Sequence, residues 1–140
     1  MVAHHAGIGM GLVTALRGAR FRLAHGECTI PKELIPKSFP YYKFNLDDPK
    51  KELTQEEADM LKESVFQMVQ VASSHLLEAR ELQSDVPKHA RACFLPVVPA
   101  LQHLSKLEKA KYDIFDDSLL EHENLKGLAL LGRTWLTGVF

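Results

Sequence analysis

The stretch Leu16-Arg17-Gly18-Ala19-Arg20-Phe21-Arg22-Leu23-Ala24-His25-Gly26-Glu27-Cys28-Thr29-Ile30-Pro31 decides how the chain is read. A helical pattern that begins at Val2 runs into it and reaches about Ala24, and Pro31 opens a different kind of sequence. Arg17, Arg20 and Arg22 make the helix cationic, and no acid precedes Glu27.

Upstream, Ala3, Gly7, Gly11, Ala15 and Ala19 recur at every fourth residue and form a ridge without bulk, against which another helix can approach closely. Glycine costs about 1 kcal/mol relative to alanine inside a helix, so Gly7, Gly9 and Gly11 imply a compensating contact with a tightly packed partner helix. The Gly7-Ile8-Gly9-Met10-Gly11 run is no nucleotide loop, because no β-branched strand precedes it and no Lys-Ser or Lys-Thr follows. An acid-free, arginine-bearing N-terminus partly mimics a mitochondrial transit peptide, but this stretch is poor in serine and is read as folded helix.

Downstream, Pro36, Pro40, Pro49 and the Asp47-Asp48 pair predict a long irregular connection near 32–53. Its aromatics Phe39, Tyr41, Tyr42 and Phe44 either tack the loop to its own domain or offer a docking surface. Thr54 followed by Glu57 is a capping-box signature, and Ala58, Leu61, Val65, Met68, Ala72, Leu76, Ala79 and Leu82 then recur at three and four. Ser84 or Asp85 can cap a further helix entered at Pro87, with Pro96 and Pro99 breaking it. Two more helical stretches are expected, from Pro99 to about Asp116 with Leu101, Leu104 and Leu107 inward, and from about Ser118 to the C-terminus. No strand signal competes, so the expected fold is all-α: a single domain over 1–140 with about five to six helices.

With 140 residues, 46% of them apolar and 25% charged, the chain has an ordinary globular composition able to bury a core. A net charge of -1 gives no global attraction to nucleic acid, and no nucleic-acid partner is expected. Cys28 and Cys93 form no CxxC pair, which supports neither a zinc knuckle nor a disulfide framework and makes a reducing compartment the default. No run approaches the roughly 18 apolar residues of a membrane span; attachment to a membrane surface is left open. The histidines, among them His4, His5, His75, His89, His103 and His122, show no ligand spacing and no HExxH motif.

The Leu16–Pro31 stretch resembles the second carboxylate motif of the squalene and phytoene synthase family: Leu-Arg-Asp, a second Asp four residues later, then Gly and Leu-Pro. The resemblance extends over Ala72 to Arg80, the segment around Pro87 to Pro99, Tyr112-Asp113-Ile114-Phe115-Asp116 and Trp135. Within the family it points to a mitochondrial branch, the phytoene-synthase-like assembly factor of respiratory complex I, whose members also replace the acids after Leu-Arg. The implied fold is the C-terminal half of an isoprenoid-synthase-like helical body.

Family enzymes neutralise a departing diphosphate with magnesium held by two aspartate-rich motifs on facing helices. Here the acid positions hold Gly18 and Arg22, so the resemblance implies a pseudoenzyme with no cofactor and no metal. Arg17, Arg20 and Arg22 can instead meet a phosphate or lipid headgroup directly, since guanidinium pairs bidentately with phosphate oxygens. The plainer alternative is a buried ion pair at Arg17 with the other two as surface charges. Asp113, Asp116 and Asp117 would share a face if the helix persisted that far, but carboxylates at a helix C-terminus oppose its dipole, which favours a turn after Phe115.

The family's first carboxylate motif is not in this sequence. The expectation is therefore a hetero-oligomer in which another protein chain supplies the N-terminal half of the fold, within a large mitochondrial assembly on the matrix side. The expected function is non-catalytic: complex I assembly, or an accessory subunit of a respiratory complex, through protein contacts. The alternatives are a subunit of a heteromeric isoprenoid diphosphate transferase and a lipid or isoprenoid binder.

Overall fold

The computed structural model describes residues 1–35, 37, 53–120, 124–137 and 139, with side chains left aside at 124–128 and 135. Most of the connection expected near 32–53, including Phe39, Tyr41, Tyr42 and Phe44, lies outside the described residues, as do His122 and the Trp135 side chain. The described residues hold four α-helices and no strand: α1 (Val2–Ala24), α2 (Gln55–Glu81), α3 (Val97–Lys109) and α4 (Asn124–Thr137). The fold is all-α as expected, with a helix count just below five to six.

The shortfall arises at prolines and helix ends. The helix expected after Pro87 is a 3₁₀ segment, Lys88–Phe94, with a second 3₁₀ turn before it at Leu82–Asp85. Pro99 lies in the first turn of the next helix, α3, close to the start expected there, where a missing N–H leaves no bond unmade. α3 also stops well before Asp116: Lys111 and Tyr112 both take positive φ, 52° and 61°, and the Tyr112 N–H donates to the Leu107 carbonyl at 2.8 Å. Bonding back five residues in this way is the Schellman pattern, and it turns the chain out of the helix.

α1 and α2 form the centre and run antiparallel, with His5 beside His75 and Gly9 against Ala72 and Leu76. The stripe read from sequence on α2 is the one it buries: Leu61, Val65, Met68, Ala72, Leu76 and Ala79. Its capping box is complete, since Thr54 Oγ1 accepts from the Glu57 N–H (3.2 Å) and Glu57 Oε2 accepts from the Thr54 N–H (2.8 Å). α1 buries Val2, Ala6, Gly9, Val13, Leu16, Ala19 and Leu23, which recur at helical spacing. α3 closes the core with Val97, Leu104 and Leu107, and Tyr112 beyond it packs edge-on to Phe66 with ring centroids 5.0 Å apart.

The small-residue ridge of α1 lies in a different register from this contact. Ala3, Gly7 and Gly11 are exposed, Ala15 is half-buried, and only Ala19 is fully covered. The reason is geometric: a row at every fourth residue winds about 40° per step around a helix of 3.6 residues per turn, so it crosses from one face to another. Of the three glycines, only Gly9 is demanded by packing among the described residues, because a Cβ there would stand 2.6 Å from Leu76 Cγ and 3.2 Å from the Ala72 carbonyl oxygen. No helix among the described residues is long and apolar enough to cross a membrane.

Candidate functional site

The cationic end of α1 terminates at Gly26, whose φ of +75° is open to glycine and costly for other residues. There the Gly26 N–H donates to the Leu23 carbonyl (2.9 Å) and the Glu27 N–H to the Arg22 carbonyl (2.8 Å), a complete Schellman motif. The glycine of the Leu16–Pro31 frame is thus a helix stop, and the chain beyond is tied back where the Thr29 hydroxyl donates to the Ala15 carbonyl at 3.0 Å. Burial pushes the nearby Cys28 thiol up from its ordinary pKa, only partly offset by a backbone hydrogen bond at Ile30.

Gly18 and Arg22, the positions set against the family's acid pair by the resemblance, stand one turn apart on one face of α1. A Cβ at Gly18 would lie 3.8 Å from Arg22 Nε. Neither side chain has an oxygen to offer, and the Arg22 guanidinium lies within ordinary contact of a side chain placed at 18. No group of three His, Cys, Asp or Glu side chains among the described residues could hold a metal ion. The described residues here therefore do not fit the magnesium that the family's enzymes use, and the local charge favours an anion over a cation.

The three arginines are committed to different degrees. Arg20 is half-buried and reaches the Phe115 carbonyl (3.3 Å) and the Asp117 carboxylate (3.1 Å). Arg22 pairs with Glu27 at 3.1 Å in the open. Arg17 has no acidic partner among the described residues; one Nη2 donates to the Pro99 carbonyl at 2.9 Å and its other donors face outward from an exposed side chain. The buried ion pair weighed for Arg17 is thus replaced by a carbonyl contact, and the acid from a neighbouring segment goes to Arg20 one turn later.

Asp113, Asp116 and Asp117 do not line one helical face, because α3 has ended. Asp113 Oδ1 accepts from the Phe115 N–H and Asp116 Oδ1 from the Ser118 N–H, each at 2.9 Å, while Asp117 serves Arg20. The first two are Asx turns that fold the chain back toward α1.

Two histidine features had no signal in sequence spacing. His103 on α3 is half-buried near Arg17, and its enclosed Nε2 has no hydrogen-bond partner among the described residues. Burial first, then the charges of Arg17 and Lys106, lower its pKa from 6.5 to about 4. Across the α1–α2 contact, His5 Nδ1 lies 2.9 Å from His75 Nδ1 and 3.4 Å from Glu78 Oε2, so one ring donates and the other accepts. Residues 5, 75 and 78 meet only because the helices run antiparallel.

Comparison with known proteins agrees with this geometry. The profile of the squalene/phytoene synthase family matches residues 1–126. Over 133 residues the chain is 26% identical to the rat protein named NADH dehydrogenase (ubiquinone) complex I, assembly factor 6, and 25% identical to the human protein of that name. A Dictyostelium discoideum homolog under the same name is 29% identical over 119 residues, covering 81% of this chain. The rat and human alignments cover 95% of this chain but 38% of each relative, and the Dictyostelium alignment covers 30% of its relative, so the chain spans well under half of their length. No solved structure gives a significant match. With a family profile matched along nearly all of its length, the chain belongs to the squalene/phytoene synthase family.

Proposed function

We propose that this chain is a non-catalytic helical domain, spanning 1–140, that acts through protein contacts in the assembly of respiratory complex I or as an accessory subunit of a respiratory complex. The observation that carries the reading is the alignment of 95% of the chain with proteins named for complex I assembly. Its place in this reading is the mitochondrion, in the matrix or on the matrix face of the inner membrane. The absence of ligand oxygens at Gly18 and Arg22 supports a binding role over a catalytic one.

The docking face in this proposal is the outward side of α1, where Ala3, Gly7 and Gly11 are exposed and Phe21 stands 67% exposed at the far end. A helix approaching so small a surface comes close enough for backbone contact. The proposed occupant is the N-terminal half of the family fold, carried by another protein chain. Arg17, with donors to spare, supplies the anion contact, to a carboxylate of that partner or to a phosphate; Arg20 and Arg22 add field rather than bonds.

Affinity purification of the full chain from mitochondria of its source tests the reading. Complex I subunits or assembly intermediates should co-purify, and depletion should lower fully assembled complex I on native gels. Normal complex I after depletion, or co-purification with a different assembly such as a ribosome, would overturn it. Gly18→Asp combined with Arg22→Asp should produce no magnesium-dependent turnover of an isoprenoid diphosphate; turnover would refute the non-catalytic assignment.

A further inference from the structure

Near the start of α1 and toward the end of α2 two imidazoles meet nitrogen to nitrogen, with His5 Nδ1 2.9 Å from His75 Nδ1 and ring centroids 5.1 Å apart. Glu78 Oε2 lies 3.4 Å from the same His5 nitrogen. An ionised carboxylate only accepts, so the nitrogen facing it carries the proton: His5 is the donor, and His75 Nδ1 accepts with its own ring proton on Nε2. In this arrangement His5 is free to be neutral or, beside Glu78, a cation, while His75 has to be neutral. A proton on His75 Nδ1 sets donor against donor at 2.9 Å.

The surroundings give a second charge little relief. The His5 side chain is only 12% exposed, and one turn further along α1 Gly9 lies against Ala72 and Leu76 with no room for a Cβ, so the rings separate by lifting the first turn of α1 rather than by sliding the helices. Among the described residues Glu78 is the acid in contact with the pair. On α1 the neighbouring titratable groups are the exposed Met1 amino group and His4, whose ring meets His5 edge-on with centroids 5.5 Å apart. The 3₁₀ turn Leu82–Asp85 also packs against α1 and carries Asp85, whose carboxylate accepts from the Ser84 hydroxyl at 3.5 Å. α3 brings Lys106 and His103 to α1 near Arg17, about three turns beyond His5.

We propose that the His5–His75 pair is a proton-operated latch on the first turn of α1: it stays closed on α2 with no added proton or with one, on His5, and opens when His75 takes up a second. Glu78 steadies the closed form that holds one added proton. The open form carries one proton more than the closed form, so closure is complete at the alkaline end and opening rises about tenfold for each pH unit lowered. Ala3 lies on the same turn, so opening also withdraws one end of the outward side of α1. The latch rests on the α1–α2 contact alone and stands or falls separately from the role in complex I assembly.

The test is NMR of the isotope-labelled full chain from about pH 8 to about pH 5, the span over which histidine ordinarily changes charge. It is run in the natural sequence and in His103→Leu, which keeps the acid sensitivity of that residue out of the reading. At the alkaline end the ring nitrogens should show a proton on Nδ1 of His5 and on Nε2, not Nδ1, of His75. As pH falls, the helical Cα shifts of Val2–Ala6 should decay while those of Val65–Ala72 hold. His75→Asn, whose Oδ1 accepts as Nδ1 does but takes up no proton, should keep the turn closed through the whole span. Glu78→Gln, at a half-exposed position, should open the turn at higher pH, because the closed one-proton form loses its counter-charge. The proposal is overturned by a proton on Nδ1 of His75 at the alkaline end, by a first turn that stays closed to about pH 5, or by His75→Asn opening alongside the natural sequence. It is equally overturned if Glu78→Gln leaves the pH of opening where it was or lowers it.

Discussion

The two long helices lie side by side and are written in different languages. α2 has one apolar stripe, a charged opposite side and a side-chain cap at its start, so its boundary with solvent is marked along its length. α1 has no side-chain cap, no acid in its first turn, and small or apolar residues on both sides until its arginines begin. A helix with a single stripe is complete once that stripe is covered, whereas a helix without a polar face is stable where it is covered twice. α2 supplies one cover for α1; its outer side, with Gly7 and Gly11, is unmatched among the described residues.

Gly9→Ala is the severest way to break that comparison. Its Cβ would fall 2.6 Å from Leu76 Cγ and Cδ2, and Leu76 is fully buried with no room to withdraw. Overpacking of this kind costs about 1–3 kcal/mol, more where neighbours cannot move, against less than about 1 kcal/mol gained in helix propensity. A net loss of about 2 kcal/mol is expected in urea unfolding, with α1 separating from α2. No loss would mean that the two helices are not in contact at this register.

The pH dependence sharpens the contact between α1 and α3. His103 has a folded pKa of about 4 against an ordinary 6.5, so between those values the unfolded chain binds the extra proton. Stability is therefore fully present above about pH 6.5 and is lost as pH falls toward 4. The loss is at most about 2 kcal/mol, because partial exposure screens the charges involved. His103→Leu should remove this acid limb and leave stability at pH 7 equal or higher, since it deletes a buried nitrogen without a partner. An unchanged pH profile in His103→Leu would show that other groups produce it.

Thr54→Ala tests the end of α2 that solvent can reach. The bond that Thr54 Oγ1 accepts from the Glu57 N–H disappears while the backbone N–H at 54 can still donate to Glu57, and about 1 kcal/mol should be lost. Thr54→Ser should restore most of it; equal stability of all three forms would show that the cap contributes nothing.

The legibility of the sequence follows the same division. α2 could be read to its first residue because its cap, stripe and charged face repeat one message. On α1 the helix could be read but its contact could not, since apolar residues occur on several faces and only Gly9, Ala72 and Leu76 meeting in space choose among them. The turn after α3 was hidden because Lys111 and Tyr112 are not residues that announce positive φ. At the candidate site, the lack of a carboxylate at 18 and 22 was visible in the sequence itself. The partners of Arg17 and Arg20 were not, because Pro99, Phe115 and Asp117 lie more than 80 positions away along the chain.

The smallest effects fall on the two exposed glycines and carry the most information about the uncovered side of α1. An added Cβ at Gly7 or Gly11 meets nothing within 4 Å, so in the chain alone each alanine substitution should stabilise by about 0.5 kcal/mol through helix propensity. If another helix seats itself on this side, the same methyl groups stand in the closest approach and the substitutions should weaken association with co-purifying chains. Gly7→Ala and Gly11→Ala together therefore separate folding from docking: greater thermal stability with reduced recovery of partners places the contact on this face. Greater stability with unchanged recovery moves the contact to another surface of the domain. The pairing with Gly9→Ala matters because all three changes add one methyl group to one helix, so a difference in sign among them can arise only from what each face meets.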